Sequence, residues 1–148
     1  MARRASSRPR LSGAVSRFDH VGLNVPDLDA AVDWYCSAFE LKESMCFRID
    51  PVQLDGVMLT HASGWRLELL HRPSAVPGIC AANPADAALT LGYSHFALQV
   101  PSVQQTYDAL LAAGAADRMS PRPSPDPSGL PMAFVADPWE NLIELLER

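Results

Sequence analysis

Two histidines and two glutamates of this 148-residue chain have the residue types and the spacing of a metal-binding set. His20 opens the segment His-Val-Gly-Leu-Asn-Val-Pro, and His95 opens His-Phe-Ala-Leu-Gln-Val-Pro 75 positions later. Glu68 lies in Leu-Glu-Leu-Leu, and Glu144 lies in Ile-Glu-Leu-Leu 76 positions later. Two imidazole nitrogens and two carboxylate oxygens suit one divalent ion of Zn, Ni, Co, Mn or Fe. Four protein ligands leave one or two positions open for water or substrate, which favours catalysis over a structural role.

The surroundings of the two glutamates strengthen the metal hypothesis. Glu68 and Glu144 each lie in the middle of a strongly apolar stretch that is typical of a strand. An ionised carboxylate that is buried without a partner costs several kcal/mol, and a divalent ion is a suitable partner. Strand alternation places each histidine on a small, polar face, opposite a face of apolar residues that predicts the core.

The elements that must position these residues follow an internal repeat. Each histidine segment is followed by apolar residues at helical spacing, which predicts helices over 27–39 and 102–113. Asp27 and Ser102 each follow a proline and are suitable N-caps, and Gly114 predicts the end of the second helix. Strands are predicted over 41–50, 55–61 and 65–71 in the first repeat, and over 116–119, 131–136 and 141–147 in the second.

The pattern therefore predicts an α+β fold of two tandem βαβββ modules. We expect a disordered basic tail over 1–16 and one domain over 17–148, divided into module one (17–72), a linker (73–91) and module two (92–148). Residues 120–131 hold five prolines, which predicts a loop and a lid over a site.

Charge and composition exclude several kinds of partner. The net charge is −5, yet residues 1–17 hold five arginines and no acid, so the remainder carries seven basic and seventeen acidic groups, a net charge of −10. Such a body repels nucleic acid, and the chain has no apolar run long enough to cross a bilayer. We therefore expect a cytoplasmic protein with a small-molecule substrate, without a nucleic-acid or membrane partner.

The other histidines, the arginines and the cysteines give weaker indications of function. His61 and His71 have no counterpart in the other repeat, so we expect both at the surface or behind the metal ligands. Arg48, Arg66 and Arg118 are candidates for binding an anionic substrate, with a solvated surface position as the favoured interpretation. The three cysteines lack a Cys-x-x-Cys pair and are predicted to be buried or partly buried free thiols.

These residues resemble the vicinal-oxygen-chelate superfamily, which includes glyoxalase I, extradiol dioxygenases and bleomycin-binding proteins. The resemblance spans about residues 17–148, and its best motif is Asp137-Pro-Trp-Glu-Asn-Leu-Ile-Glu-Leu145. Trp139 and Glu140 depart from the Asp-Gly turn that the family has there. The resemblance implies two modules whose curved mixed sheets close around a metal site, often in a homodimer.

The full set of two histidines and two glutamates is most similar to glyoxalase I. That resemblance implies a metal-dependent lyase or isomerase acting on a small carbonyl substrate through an enolate that the metal stabilises. Glu144 is the first candidate for the general base, and Glu68 is the second. Two alternatives stay open: an Fe(II)-dependent dioxygenase using His20, His95 and Glu144, and a non-catalytic protein that sequesters a small molecule such as an antibiotic.

Overall fold

The fold consists of two four-stranded mixed sheets, each carrying one long helix. A computed structural model describes residues 16–148. The first repeat comprises β1 (Val21–Asn24), α1 (Leu28–Phe39), β2 (Lys42–Ile49), β3 (Leu54–Thr60) and β4 (Arg66–His71). The linker holds a single turn of helix, α2 (Pro84–Ala87). The second repeat comprises β5 (Phe96–Val100), α3 (Val103–Ala112), β6 (Ala116–Pro123), β7 (Pro131–Ala136) and β8 (Leu142–Glu147).

The strand order is the same in both sheets. It runs β1-β4-β3-β2 in the first sheet and β5-β8-β7-β6 in the second. The first strand of each repeat pairs with the last in parallel, and the other neighbours are antiparallel. The predicted α+β class with two βαβββ repeats is therefore confirmed, and the strands that begin and end each repeat lie side by side.

The helices begin where the capping residues predict. The side chain of Asp27 accepts a hydrogen bond from the Ala30 amide at 3.0 Å, and the side chain of Ser102 accepts one from the Gln105 amide at 3.3 Å. These bonds satisfy amides that the first helical turn leaves without a partner. Gly114 follows α3 in the left-handed conformation, with φ of +94°, so the predicted end of that helix is also correct.

The two sheets share one hydrophobic core. It combines buried residues of α1, β3 and β4 with buried residues of α3, β7 and β8, and includes Val32, Leu59, Leu67, Leu69, Leu110, Val135, Ile143 and Leu145. Fully burying one such side chain contributes about 2 kcal/mol. Two polar contacts also cross between the repeats: the Trp34 Nε1–H donates to the Ala113 carbonyl at 2.8 Å, and the Tyr35 hydroxyl donates to Asp137 at 2.6 Å.

The proline-rich stretch was predicted as a loop from residue 120, and this was wrong for its first part. β6 continues to Pro123, with Arg122 paired to Met132 and Pro123 paired to Pro131. β6 is an edge strand with two register irregularities, so a residue without an N–H is tolerated there. The lid role of residues 124–130 stays a prediction.

The exposure of the cysteines differs in part from the prediction. Cys36 is partly buried as predicted, but Cys46 and Cys80 are exposed because they lie on an edge strand and in the linker. The predicted basic tail, apart from Ser16, lies outside the described residues. Among residues 16–148, no helix is both long and apolar enough to cross a membrane.

Candidate metal centre

His20 and Glu68 lie together at one end of the first sheet. His20 immediately precedes β1, and Glu68 lies in β4 beside Gly22 of β1. The His20 Nε2 atom is 3.5 Å from Glu68 Oε2. The exposed fraction of the Glu68 side chain is only 19%, because β4 is an inner strand of the sheet. The first repeat thus presents one nitrogen and one oxygen donor side by side.

The second repeat builds the same pair. His95 immediately precedes β5, and Glu144 lies in β8 beside Ala97 of β5. The His95 Nε2 atom is 3.2 Å from Glu144 Oε2, and the Glu144 side chain is 17% exposed. The two pairs therefore agree in strand position, atom type, distance and burial, as the repeat in the sequence predicts.

Small residues in the first strands leave room for the glutamates. A Cβ atom on Gly22 would lie 3.3 Å from Glu68 Oε2, closer than most side-chain contacts. Asn24 and Gln99 are exposed on the same faces, whereas Leu23 and Val100 are buried on the opposite faces. The predicted division of each first strand into a small, polar face and a core face is therefore correct.

The other ring nitrogen of each histidine also has a partner. His20 Nδ1 is 2.6 Å from Asp19 Oδ1, and both oxygens of Asp19 accept hydrogen bonds from Arg66 at 3.0 and 3.1 Å. The hydrogen bond with His20 lowers the pKa of Asp19 below its ordinary value. Partial desolvation opposes this effect, and the charge of Arg66 adds a smaller lowering. His95 Nδ1 is 3.0 Å from the Ser94 hydroxyl. Each histidine therefore has a polar side chain beside both of its ring nitrogens.

An apolar surface adjoins the second pair. The ring of Phe134 meets the ring of His95 edge to face, with 5.0 Å between centroids. Phe134 lies in β7 directly beside Glu144, and it packs with Met132 and Leu142 beneath Ala87 of α2. The linker therefore covers part of the face that holds the second pair, and low solvent access strengthens electrostatic interactions there.

The four predicted ligands form two pairs within one chain. Among residues 16–148, no group of three or more histidine, cysteine, aspartate or glutamate side chains is arranged to hold a metal ion. A single site with all four ligands therefore needs the two pairs to meet, and it stays a prediction.

The donor atoms nevertheless fit a metal ion. Two ligand atoms bound at right angles to one ion, each about 2.1 Å from it, lie roughly 3 Å apart. The distances of 3.5 and 3.2 Å within the two pairs are close to that value. Moreover, each glutamate is mostly buried in an apolar strand, and each pairs with a histidine on the same face. The chemistry and spacing of each pair therefore suit half of a metal site.

The other candidate residues contact groups other than the four proposed ligands. His61 stacks on Trp65, and the His71 ring lies 3.1 Å from the Val25 carbonyl. The three arginines proposed for anion binding are each paired with carboxylates: Arg48 with Asp50 and Asp55, Arg66 with Asp19, and Arg118 with Glu140. Their positive charges are therefore already balanced.

Sequence reasoning missed Asp19, Ser94 and Phe134. Asp19 and Ser94 precede the two histidines by one residue, so an alignment of the repeats that begins at the histidines leaves them out. The presence of a hydrogen-bonding side chain immediately before each histidine could have identified Asp19 and Ser94 as contacts of the two rings. Phe134 was not identifiable, because its contact with His95 depends on the pairing of β7 with β8.

Comparison with known proteins adds a family and a fold. The family model described as Glyoxalase/Bleomycin resistance protein/Dioxygenase superfamily matches residues 17–145. A glyoxylase/bleomycin resistance protein/dioxygenase domain from Frankia sp. EAN1pec has a similar structure, with a TM-score of 0.70 and 21% identity; the match covers 90% of this chain and 98% of that chain. No curated protein matches.

Two similar structures carry the name glyoxalase I. The trypanothione-dependent glyoxalase I of Leishmania major has a TM-score of 0.67 and 24% identity, and the match covers 90% of this chain and 87% of that chain. Glyoxalase I from Zea mays has a TM-score of 0.70 and 20% identity, with 89% of this chain and 44% of that chain covered. At these identities the likeness is one of fold.

Proposed function

Because the chain belongs to the Glyoxalase/Bleomycin resistance protein/Dioxygenase superfamily, we propose that it is a metal-dependent lyase or isomerase of the glyoxalase type, acting on a small carbonyl compound. The observation that carries the proposal is that the two pairs, His20 with Glu68 and His95 with Glu144, match in the distance between their atoms and in side-chain burial. A three-ligand dioxygenase site would not require Glu68 to match Glu144 in position, burial and histidine contact. A location in the cytoplasm remains a prediction.

We propose further that the complete site forms between two copies of the chain. The two pairs lie in different sheets of one chain, next to β1 and β5, and each of these strands is the edge of its sheet. In a symmetric dimer the same two surfaces meet twice, so two sites form from one kind of contact. Each site would then take His20 and Glu68 from one chain and His95 and Glu144 from the other.

In the proposed reaction the four ligands would hold the metal ion, and one of the glutamates would also transfer a proton. A bound divalent ion would supply Lewis-acid polarisation of a carbonyl oxygen and stabilise the negative charge that develops there. We assign to Glu144 the acceptance of a proton from the carbon next to that carbonyl, because its carboxylate adjoins His95, a proposed ligand, and the apolar ring of Phe134. Glu68 occupies the equivalent position and is the second candidate for this role.

Metal content tests the proposal first. Protein purified without a metal-affinity column is expected to hold about one equivalent of Zn, Ni, Co, Mn or Fe per chain, and His95→Ala is expected to lose it. His61→Ala is the matched control, because His61 stacks on Trp65 outside the two pairs. The proposal is wrong if neither wild type nor reconstituted protein binds metal, and that result favours a non-catalytic binding protein.

Mixing two defective chains tests whether the site lies between copies. His20→Ala and His95→Ala each remove one ligand from every site, so each variant alone should bind no metal tightly. In a mixed dimer, one of the two sites receives both intact pairs. Random reassembly of equal amounts should therefore restore about a quarter of the wild-type sites. A mixture that reassembles as dimers but binds no metal would contradict the shared site.

Proton exchange tests the role of Glu144. In D2O, the metal-loaded protein is expected to replace the protons next to the carbonyl of hydroxyacetone, a small ketone with an adjacent oxygen, as followed by NMR. Glu144→Gln should slow this exchange at least about a hundredfold, while the exposed Glu43→Gln should not. Wild-type exchange in Glu144→Gln would refute its role, and oxygen consumption with Fe(II) would favour a dioxygenase instead.

A further inference from the structure

We propose that Asp19 is a positioning residue, which fixes the ring of His20 so that Nε2 faces Glu68 without a proton. The inference rests on the proposed function, because it takes His20 to be a metal ligand. Asp19 itself touches neither the proposed metal position nor Glu68. It acts on the far side of the ring, where its Oδ1 atom lies 2.6 Å from His20 Nδ1.

The competition between two carboxylates decides where the proton of the neutral ring lies. A neutral imidazole has one N–H donor and one bare nitrogen, and the stronger hydrogen bond selects between the two forms. Asp19 is 2.6 Å from Nδ1, whereas Glu68 is 3.5 Å from Nε2, which is the limit of a hydrogen bond. The proton therefore belongs on Nδ1, and the lone pair of Nε2 is free for a metal.

Arg66 keeps Asp19 in place. Its Nη1 atom donates to both oxygens of Asp19 at 3.0 and 3.1 Å, and Arg66 begins β4, the strand that also carries Glu68. Because the side chains of Asp19 and Arg66 are 63% and 35% exposed, this ion pair adds little to the stability of the fold. Its effect is geometric: it ties the partner of His20 to the strand that holds the second ligand.

The second repeat provides a natural comparison. Ser94 occupies the place of Asp19, and its hydroxyl lies 3.0 Å from His95 Nδ1. A hydroxyl can donate or accept, whereas an ionised carboxylate only accepts. The distance from His95 Nε2 to Glu144 is 3.2 Å, so Glu144 competes for the ring proton on nearly equal terms. In the metal-free protein, the His20 ring is therefore already held with an unprotonated Nε2, whereas the proton of the His95 ring is not confined to one nitrogen.

The protonation site of the histidines tests Asp19 without any metal. The chain has four histidines, so the ring nitrogens can be assigned individually by 15N NMR of metal-free protein under conditions in which the rings are neutral. We expect His20 to carry its proton on Nδ1 in wild type. In Asp19→Ala the remaining acceptor is Glu68, so the proton should move to Nε2. A His20 ring with the same protonation site in both proteins would overturn the proposal.

Asp55→Ala is the matched control. Like Asp19, Asp55 accepts hydrogen bonds from one arginine through both carboxylate oxygens, here from Arg48 at 2.8 Å, but it contacts neither His20 nor Glu68 in the described structure. Asp55→Ala therefore removes the same kind of ion pair and should leave the protonation of His20 unchanged. Asp19→Asn keeps an acceptor oxygen and should preserve the wild-type form more fully than Asp19→Ala.

Titration with Zn(II) or Ni(II) alone gives the second readout. Loss of a partner behind a metal-binding histidine typically weakens metal binding by about 10- to 100-fold. We expect this loss in Asp19→Ala, a smaller one in Ser94→Ala and none in Asp55→Ala. Equal affinity in Asp19→Ala and wild type would overturn the proposal. If wild type binds no metal, the proposed function fails, while the NMR result still decides whether Asp19 positions His20.

Discussion

Replacing Tyr35 with phenylalanine should destabilise the protein by about 2 kcal/mol. The Tyr35 side chain is fully buried in α1, and its hydroxyl donates to Asp137 at 2.6 Å in the turn between β7 and β8. A hydrogen bond to a charged group contributes about 1.5–3 kcal/mol. Phenylalanine preserves the ring, so no cavity adds to the loss, and Asp137 keeps its donors from Trp139 and Asn141.

Urea unfolding at neutral pH measures this loss as a lower midpoint with an unchanged slope, and heating should show a melting temperature about 4–8 °C lower. Tyr93→Phe is the control, since Tyr93 is exposed, and its stability should stay close to that of wild type. Equal stability of Tyr35→Phe and Tyr93→Phe would refute the argument, because it would mean that the buried bond between Tyr35 and Asp137 contributes nothing net.

The same pair predicts how stability changes in alkali. Burial, followed by the charge of Asp137, raises the pKa of Tyr35 well above its ordinary value of 10. The folded protein therefore holds this proton at a pH where the unfolded chain releases it. The contribution of Tyr35 is complete below pH 10 and decreases as the pH rises beyond it. The difference in stability between wild type and Tyr35→Phe should therefore narrow above pH 10.

Three further predictions concern substitutions elsewhere in the fold. Gly56→Ala should cost about 1–3 kcal/mol, because the new Cβ would lie 2.2 Å from the Phe47 ring, whereas Gly78→Ala meets nothing within 4 Å and should be near neutral by the same urea titration. Glu140 has φ of +73°, so Glu140→Gly should be more stable than Glu140→Ala by about 1 kcal/mol; equal stability would argue against backbone strain there. Gly22→Ala should weaken Zn(II) binding in a titration without lowering the melting temperature, because its Cβ crowds the neighbouring carboxylate.

The repeat made much of this fold predictable from the sequence. Asp27 and Ser102 each combine a preceding proline, an N-cap side chain and a helical apolar pattern, so local chemistry alone locates the start of both helices. The paired contacts of His20 with Glu68 and of His95 with Glu144 were predictable because the four residues recur at almost the same spacing. Independent signals agreed in these segments, which is what makes a local prediction reliable.

The errors arose where position in the sheet overrides local preference. Pro121 and Pro123 argue against a strand when only the sequence is known, but β6 has one neighbour and uses few of its amides. The single turn α2 was missed although Asn83 caps it and Pro84 starts it, because four residues are too few for a periodic pattern. In the proposed dimer the two pairs meet only through a second chain, and a contact of that kind leaves no local pattern in the sequence.

The insertion of β4 between β1 and β3 has a consequence for how the chain folds. β2 and β3 can form a hairpin early, because they are consecutive and antiparallel. β1 finds its place only when β4 arrives, since Val21 pairs with Leu67 across a long loop, and contacts of such sequence separation form slowly. We therefore expect His20 and Glu68 to come together in the last step of building this sheet. A partly folded chain would not yet offer the proposed half-site to a metal ion, so we expect ion capture through it to follow completion of the sheet and not to nucleate it.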